Sequence, residues 1–167
     1  GLGTALGELA GSGVKPASSH DGTEQLARTG RAIERSIMAV PALRPRLEAV
    51  RDELARRHAA LPACRLVPIH GAPHMHQWLV DEGRLGLVDF DRFALGEPEF
   101  DLSTFVAELD TERALTRPVE AIESAMIEGY GARGIAIDAA RARLYRAHKR
   151  LSKVMRTAWA VRADAAQ

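Results

Sequence analysis

A chain of 167 residues, 46% hydrophobic and 27% charged, has the composition of an ordinary folded protein and the length of one domain or one large lobe. Lys and Arg number 23 against 22 Asp and Glu, a formal net charge of +1, so no global field favours nucleic acid or an anionic membrane. Cys64 is the only cysteine, which excludes an intrachain disulfide and a cysteine-based zinc site and fits a reducing cytoplasm.

At the start, Gly1, Gly3 and Gly7 suggest a phosphate-cradling loop, but no strand precedes them and Thr4 to Ala10 has the pattern of a starting helix. A frayed terminus is the favoured reading. Gly1 to Gly13 also lacks the basic flank and long apolar run of a signal peptide, and no window reaches the ~18 apolar residues of a membrane span, so a soluble, cytoplasmic protein is expected. Gly11 to Gly22 is a mildly flexible connection. Leu26, Ile33, Ile37 and Val40 then share one helical face, and Leu43, Leu47, Val50, Leu54 and Leu61 continue the period after Pro41.

Beyond Pro62 the pattern turns extended. Arg65 to Ile69 is a short strand, and Trp78 to Val80 and Leu85 to Val88 flank Asp81-Glu82-Gly83-Arg84 as an antiparallel hairpin. No parallel sheet is expected. After Pro98 the helical period returns in Leu102, Phe105, Val106 and Leu109, in Val119, Ile122, Met126 and Tyr130, and in Leu144, Leu151, Met155 and Trp159. The fold class is therefore mainly α with a small antiparallel β hairpin, as one domain over residues 1–167.

Charge is polarised along the chain. Glu82 to Glu128 holds twelve acids against four bases, whereas Arg141 to Arg162 holds eight Lys or Arg and no acid. On that last helix a solvated face is the favoured reading, with an anion or nucleic-acid contact as the lesser one.

The densest chemistry lies in Ile69-His70-Gly71-Ala72-Pro73-His74-Met75-His76-Gln77, followed by Val88-Asp89-Phe90-Asp91 and Gly96-Glu97-Pro98-Glu99-Phe100-Asp101-Leu102. A hairpin folds back over twelve residues, so the Gln77 amide and the Asp89 carboxylate can converge on one divalent cation. Phosphoryl transfer is mostly positioning and charge neutralisation, which such a site can serve.

This constellation resembles the aminoglycoside phosphotransferase and choline kinase-like family, whose pattern is H-G-D-x-x-x-x-N, a hairpin, D-F-x, then G-D-P-x-x-D-L. His70 and Gly71 match the opening, Gln77 stands at the asparagine, Asp89 at the metal-binding aspartate, and Gly96, Pro98, Asp101 and Leu102 match the closing motif. Leu2 to Ser12 is similar to the family's helix leading into its C-terminal lobe, and Glu128 to Gly134, with Tyr130, to its late helix end. The resemblance implies the C-terminal lobe of a kinase-like fold and transfer of the ATP γ-phosphoryl to a small-molecule hydroxyl, the acceptor being cationic in some members. It also implies magnesium with ATP as cofactor, held through Gln77 and Asp89, and a catalytic loop at His70 and position 72. Two departures matter. Ala72 stands where the family has its catalytic aspartate and can accept no proton. The family's N-terminal lobe, with its strand lysine and phosphate loop, has no counterpart in the chain, which is therefore expected to be a fragment or a helical lobe used alone.

His74 or His76 could replace the lost base, or His70, His74 and His76 could bind a transition metal. Structural or surface roles are favoured over both. Asp91 is taken as a polar hairpin end, Asp101 as a residue that hydrogen-bonds loop backbone or caps a helix, and His58 and His148 as packing residues on helices. The alternative function is a noncatalytic pseudokinase-type module whose acidic cleft of Asp89, Asp91, Glu97 and Glu99 holds a cation or a partner. An exposed apolar face is expected near the hairpin and first helix, closed by a homodimer or another polypeptide.

Overall fold

The structure, a computed structural model, describes residues 1–110, 112, 115 and 117–164, with side chains near the end given to Arg156 and at Trp159. It is mainly helical: α1 (Leu2–Gly11), α2 (Gly22–Ala39), α3 (Arg44–Ala59), α4 (Glu99–Leu109), α5 (Val119–Gly131) and α6 (Ala139–Asp164) surround five short strands. These are β1 (Ser19–His20), β2 (Val67–Ile69), β3 (Trp78–Asp81), β4 (Arg84–Leu87) and β5 (Ala94–Gly96). Among the described residues no helix is long and apolar enough to cross a membrane.

The expected hairpin is β3 against β4, with Trp78 opposite Leu87 and Asp81 opposite Arg84. Its two turn residues, Glu82 and Gly83, both take positive φ, the twist that two-residue hairpin loops need. The remaining strands form a sheet in the order β1-β5-β2. Here one expectation fails: β1 runs parallel to β5, with Ser19 opposite Leu95 and His20 opposite Gly96. Two residues are too few to leave a period-two signal, so β1 lay unseen in the presumed flexible connection.

α4 is buried on nearly every face and forms the centre of the fold, where Phe100, Leu102, Phe105, Val106 and Leu109 meet Leu6, Ile69, Met126, Tyr130 and Tyr145. α2 begins at Asp21, whose carboxylate caps the Glu24 amide at 3.0 Å, satisfying a donor the helix cannot. Ile33 and Ile37 of α2 pack on Met155 of α6. α3 departs from its expected stripe: only Leu54 is fully buried, and Val50 and Leu61 instead border an open groove against Leu144 and Ala147.

The glycines of α1 serve packing, not phosphate. A Cβ on Gly3 would lie 2.1 Å from the Met126 carbonyl oxygen, and one on Gly129 would lie 2.5 Å from the Thr4 nitrogen, so α1 and α5 cross backbone to backbone. Gly3→Ala is expected to lower stability by at least about 1–3 kcal/mol through overpacking. Gly30→Ala, inside α2 with open space at its Cβ, is expected to raise it by up to about 1 kcal/mol. Urea unfolding of the two variants checks both signs.

The apolar face expected around the hairpin is present in exposed Leu79, Val80, Val88 and Phe90. It does not extend over the first helix, because Leu6 and Ala10 are buried.

Candidate active site

The loop after β2 is held from beneath. Asp101, fully enclosed in the first turn of α4, accepts the His70 amide at 2.6 Å and the Gly71 amide at 2.8 Å. This is the loop-backbone role expected of it. Burial pushes its carboxyl up to about 6 against those two hydrogen bonds. Gly71 takes φ +84°, and a Cβ there would sit 2.2 Å from the Arg92 carbonyl oxygen, so only glycine allows the loop to touch the segment after Asp89.

His70 ties the same two segments together through its ring. One nitrogen meets the Val88 carbonyl at 3.0 Å and the other accepts the Ala72 amide at 3.3 Å. The residue is completely buried. Both ring nitrogens are engaged with loop backbone, which holds the two segments together. Ala72 itself is buried with only a methyl group.

Gln77 and Asp89 do converge: the Gln77 Nε2 donates to Asp89 Oδ2 at 2.8 Å. Gln77 Oε1 simultaneously accepts the His74 amide at 2.9 Å. Exchanging the amide ends would set donor against donor and acceptor against acceptor, which fixes this orientation. Asp89 sits at φ +69°, an unusual conformation for a residue with a side chain, and it is exposed. Magnesium takes hard oxygen ligands and draws the rest of its shell from phosphates and water. The Asp89 carboxylate fits that need. Gln77, its oxygen engaged by backbone, fits as the group that orients Asp89 rather than as a second ligand.

His74 is drawn toward Ala72 by a bond of 2.7 Å from its amide to the Ala72 carbonyl. Its Nδ1 is paired with Glu108 Oε1, whose other oxygen accepts the Met75 amide at 3.0 Å. A carboxylate on Nδ1 fixes that nitrogen as the donor and leaves Nε2 as the imidazole's acceptor. His76 is exposed. The three histidines thus have separate fates, which removes the three-histidine metal reading, and among the described residues no group of three or more His, Cys, Asp or Glu could hold a metal.

The proposed acidic cleft also divides. Asp89 and Asp91 are exposed, but Glu97 and Glu99 are buried. Glu97 accepts Arg141 Nη1 at 2.6 Å and the Tyr145 hydroxyl, and Glu99 accepts the Asp138 amide at 2.8 Å. Arg141 also reaches the Pro62 carbonyl at 2.6 Å. These acids pin the turn before α4 to the start of α6. Periodicity cannot announce such a network, since a lone arginine on a basic helix has no pattern that marks it as internal.

Sequence reasoning also missed a buried polar chain. His20, Gln25, Thr29, His148 and His58 are linked in order at 3.1, 3.1, 2.8 and 2.9 Å. His58 and His148 pack as expected, but against each other. The facing Nε2 atoms of His58 and His148 share one proton, so the two rings cannot both be protonated. Burial and the neighbouring His58 pull His148 down to about 3. A folded value below the unfolded one contributes stability above about pH 6.5 that is lost as pH falls toward 3. His148→Gln is therefore expected to flatten the loss between pH 7 and 5 by about 2 kcal/mol. Urea unfolding at both pH values supplies the difference, which cancels the opposing titration of Asp101.

Residues 2–147 match the phosphotransferase enzyme family known as APH. The chain belongs to that family. Solved phosphotransferases share its fold: a choline/ethanolamine kinase family protein from Mesorhizobium loti is 19% identical with a TM-score of 0.66, covering 92% of this chain and 50% of that one. The aminoglycoside-3'-phosphotransferase of type VIII is 21% identical with a TM-score of 0.65, covering 90% and 60%. A glucosamine kinase in complex with glucosamine, ADP and inorganic phosphate is 24% identical with a TM-score of 0.60, covering 90% and 47%. No curated protein sequence matches significantly. The chain spans about half to three-fifths of the length of these phosphotransferase structures. Asp101 holds the backbone of His70 and Gly71, and Asp89 follows the hairpin strand β4.

Proposed function

We propose that this chain is the acceptor- and metal-holding half of an ATP-dependent phosphotransferase acting on a small-molecule hydroxyl, in a reducing cytoplasm. In the reaction the acceptor oxygen forms a bond to the γ-phosphorus, ADP leaves, and the hydroxyl proton passes to a base. Asp89 would hold magnesium, which neutralises phosphate charge when bound. Gln77 aims Asp89, while His70 and Asp101 lock the loop that faces it. The observation that carries this reading is the double closure of the loop, by Asp101 on one side and the Gln77 to Asp89 bond on the other. Ala72 leaves the proton without its usual acceptor, so turnover is slow.

A second reading rests on the His74 and Glu108 pair, which presents Nε2 two residues from Ala72 and makes His74 the substitute base. A third is a noncatalytic binding module, supported by Ala72 alone now that Glu97 and Glu99 are internal. The exposed Leu79, Val80, Val88 and Phe90 are the face for a second copy or another polypeptide, and a monomer in concentrated sedimentation runs would oppose that. The central test is transfer of labelled phosphoryl from ATP to a panel of aminoglycosides, amino alcohols and sugars. Transfer lost in Asp89→Ala supports the phosphotransferase reading. With the nucleotide-binding half of a phosphotransferase supplied, no transfer from either the unaltered protein or Ala72→Asp supports the binding module.

A further inference from the structure

Between α2, α4, α6 and the loop at His74 lies a cavity of about 410 Å³. Its walls carry six cations, Arg28, Arg35, Arg92, Lys149, Lys153 and Arg156, against one acid, Glu108. That acid is already engaged with His74 and the Met75 amide. Among the described residues, Arg28, Arg92, Lys149 and Arg156 form no ion pair. Elsewhere on α6, Arg141 is paired with Glu97, Arg146 with Asp110 and Glu123, and Arg150 with Asp110, while Arg143 is exposed to solvent. Arg28, Arg92, Lys149 and Arg156 thus face one concavity together.

The charges press on one another. Repulsion from Arg92 adds to burial in weakening the Arg28 guanidinium's hold on its proton. Lys149 has its Nζ 4.0 Å above the Phe100 ring. Burial, then repulsion from Arg28, Arg92 and Arg156, outweigh the attraction of Asp101 and bring it down to about 7. A protein that gathers cations in a concavity in excess of its acids gains by binding an anion there. Arg28 and Arg92 also line a smaller adjoining cavity that includes Gly71, so the basic region reaches the loop residue next to Ala72.

We infer that this cavity binds the phosphate or carboxylate group of the acceptor, which makes the substrate class a small hydroxylated anion rather than a cationic aminoglycoside or amino alcohol. The word acceptor rests on the phosphotransferase reading above, whereas anion capture does not. A cavity this size admits a sugar phosphate or a hydroxy acid and has no room for a polynucleotide. Arginine favours planar, paired contacts to such groups.

The test is isothermal titration of the full-length protein with inorganic phosphate, glycerol 3-phosphate, ADP and glucosamine. Phosphate and glycerol 3-phosphate are expected to bind and to weaken as salt rises. Arg28→Gln and Lys149→Gln should each weaken both by 10-fold or more, while Arg84→Gln on the exposed hairpin leaves them unchanged. Thermal melts keep folding apart from binding, since removing the crowded Lys149 charge should not lower the melting temperature. Absent anion binding, or binding indifferent to Arg28 and Lys149, overturns the proposal. So does preference for glucosamine, equal loss of ADP binding in both variants with competition by glycerol 3-phosphate, or tight oligonucleotide binding through the same residues. Phosphate binding without phosphotransfer from any variant would instead defeat the enzymatic reading and leave the cavity assignment standing.

Discussion

Asp101→Ala is expected to destabilise the protein by about 2–6 kcal/mol, because it strands two buried backbone donors at about 1–3 kcal/mol each. A typical domain holds only about 5–15 kcal/mol in total, so the variant should be partly unfolded at physiological temperature. Among the described residues its carboxylate accepts both the His70 and the Gly71 amides. Those amides fix the loop against the backbone of Arg92. Asp101→Asn is the milder variant, as its oxygen can satisfy one amide while its NH2 opposes the other. The pH dependence carries the same signature. Asp101 is held at about 6, above the ordinary carboxyl value, so its ionisation subtracts stability as pH rises from about 4 to 6. Asp101→Asn should remove that downward trend while lowering stability overall. Chemical denaturation of the three proteins at pH 4.5 and 7 decides it. An unchanged midpoint in Asp101→Ala would mean that the loop is not held from α4.

How much of this was legible follows from what leaves a periodic or local trace. Helices with an apolar stripe, such as α2 and α6, declare themselves, and so does the β3 to β4 hairpin with its Glu82-Gly83 turn. The Gln77 to Asp89 approach followed from hairpin arithmetic, and the Asp101 role from its place at a helix start. What stayed hidden is long-range or very short. β1 has two residues, and its partner β5 lies some seventy positions on. The Glu97 and Arg141 pair spans forty-four positions, and the polar chain from His20 to His58 joins four segments. Acidic residues clustered in sequence looked like a cleft, yet burial sent Glu97 and Glu99 inward. The basic run of α6 looked uniform, yet helical geometry turned Arg141, Arg146 and Arg150 toward acids and Lys149 and Arg156 toward a cavity. Sequence spacing fixes which side of a helix a residue occupies and says nothing of what the other side of the contact supplies.

Placing a carboxylate at position 72 should produce the largest functional effect. Ala72→Asp is expected to raise phosphoryl transfer by about 10²- to 10⁴-fold, the usual worth of a positioned general base, and Asp89→Ala should abolish transfer in both backgrounds. The substitution is local, because Ala72 lies in a loop whose backbone is already fixed by Asp101, His70 and the bond from the His74 amide. A carboxylate added there meets a prepared site and need not order the loop itself. The comparison also separates the roles of the two neighbouring side chains. Where His74 is the substitute base, the unaltered protein transfers phosphoryl at a substantial rate, His74→Gln loses about 10²-fold or more, and Ala72→Asp adds little. Where the site lacks a base, His74→Gln changes little and Ala72→Asp gains the full factor. Gln77→Ala supplies the remaining distinction. It frees Asp89 from its 2.8 Å partner without removing a carboxylate, so it should weaken magnesium dependence of the rate and leave the response to Ala72→Asp intact. Equal loss in Gln77→Ala and Asp89→Ala would make the amide a metal ligand and overturn its assignment as the group that orients Asp89.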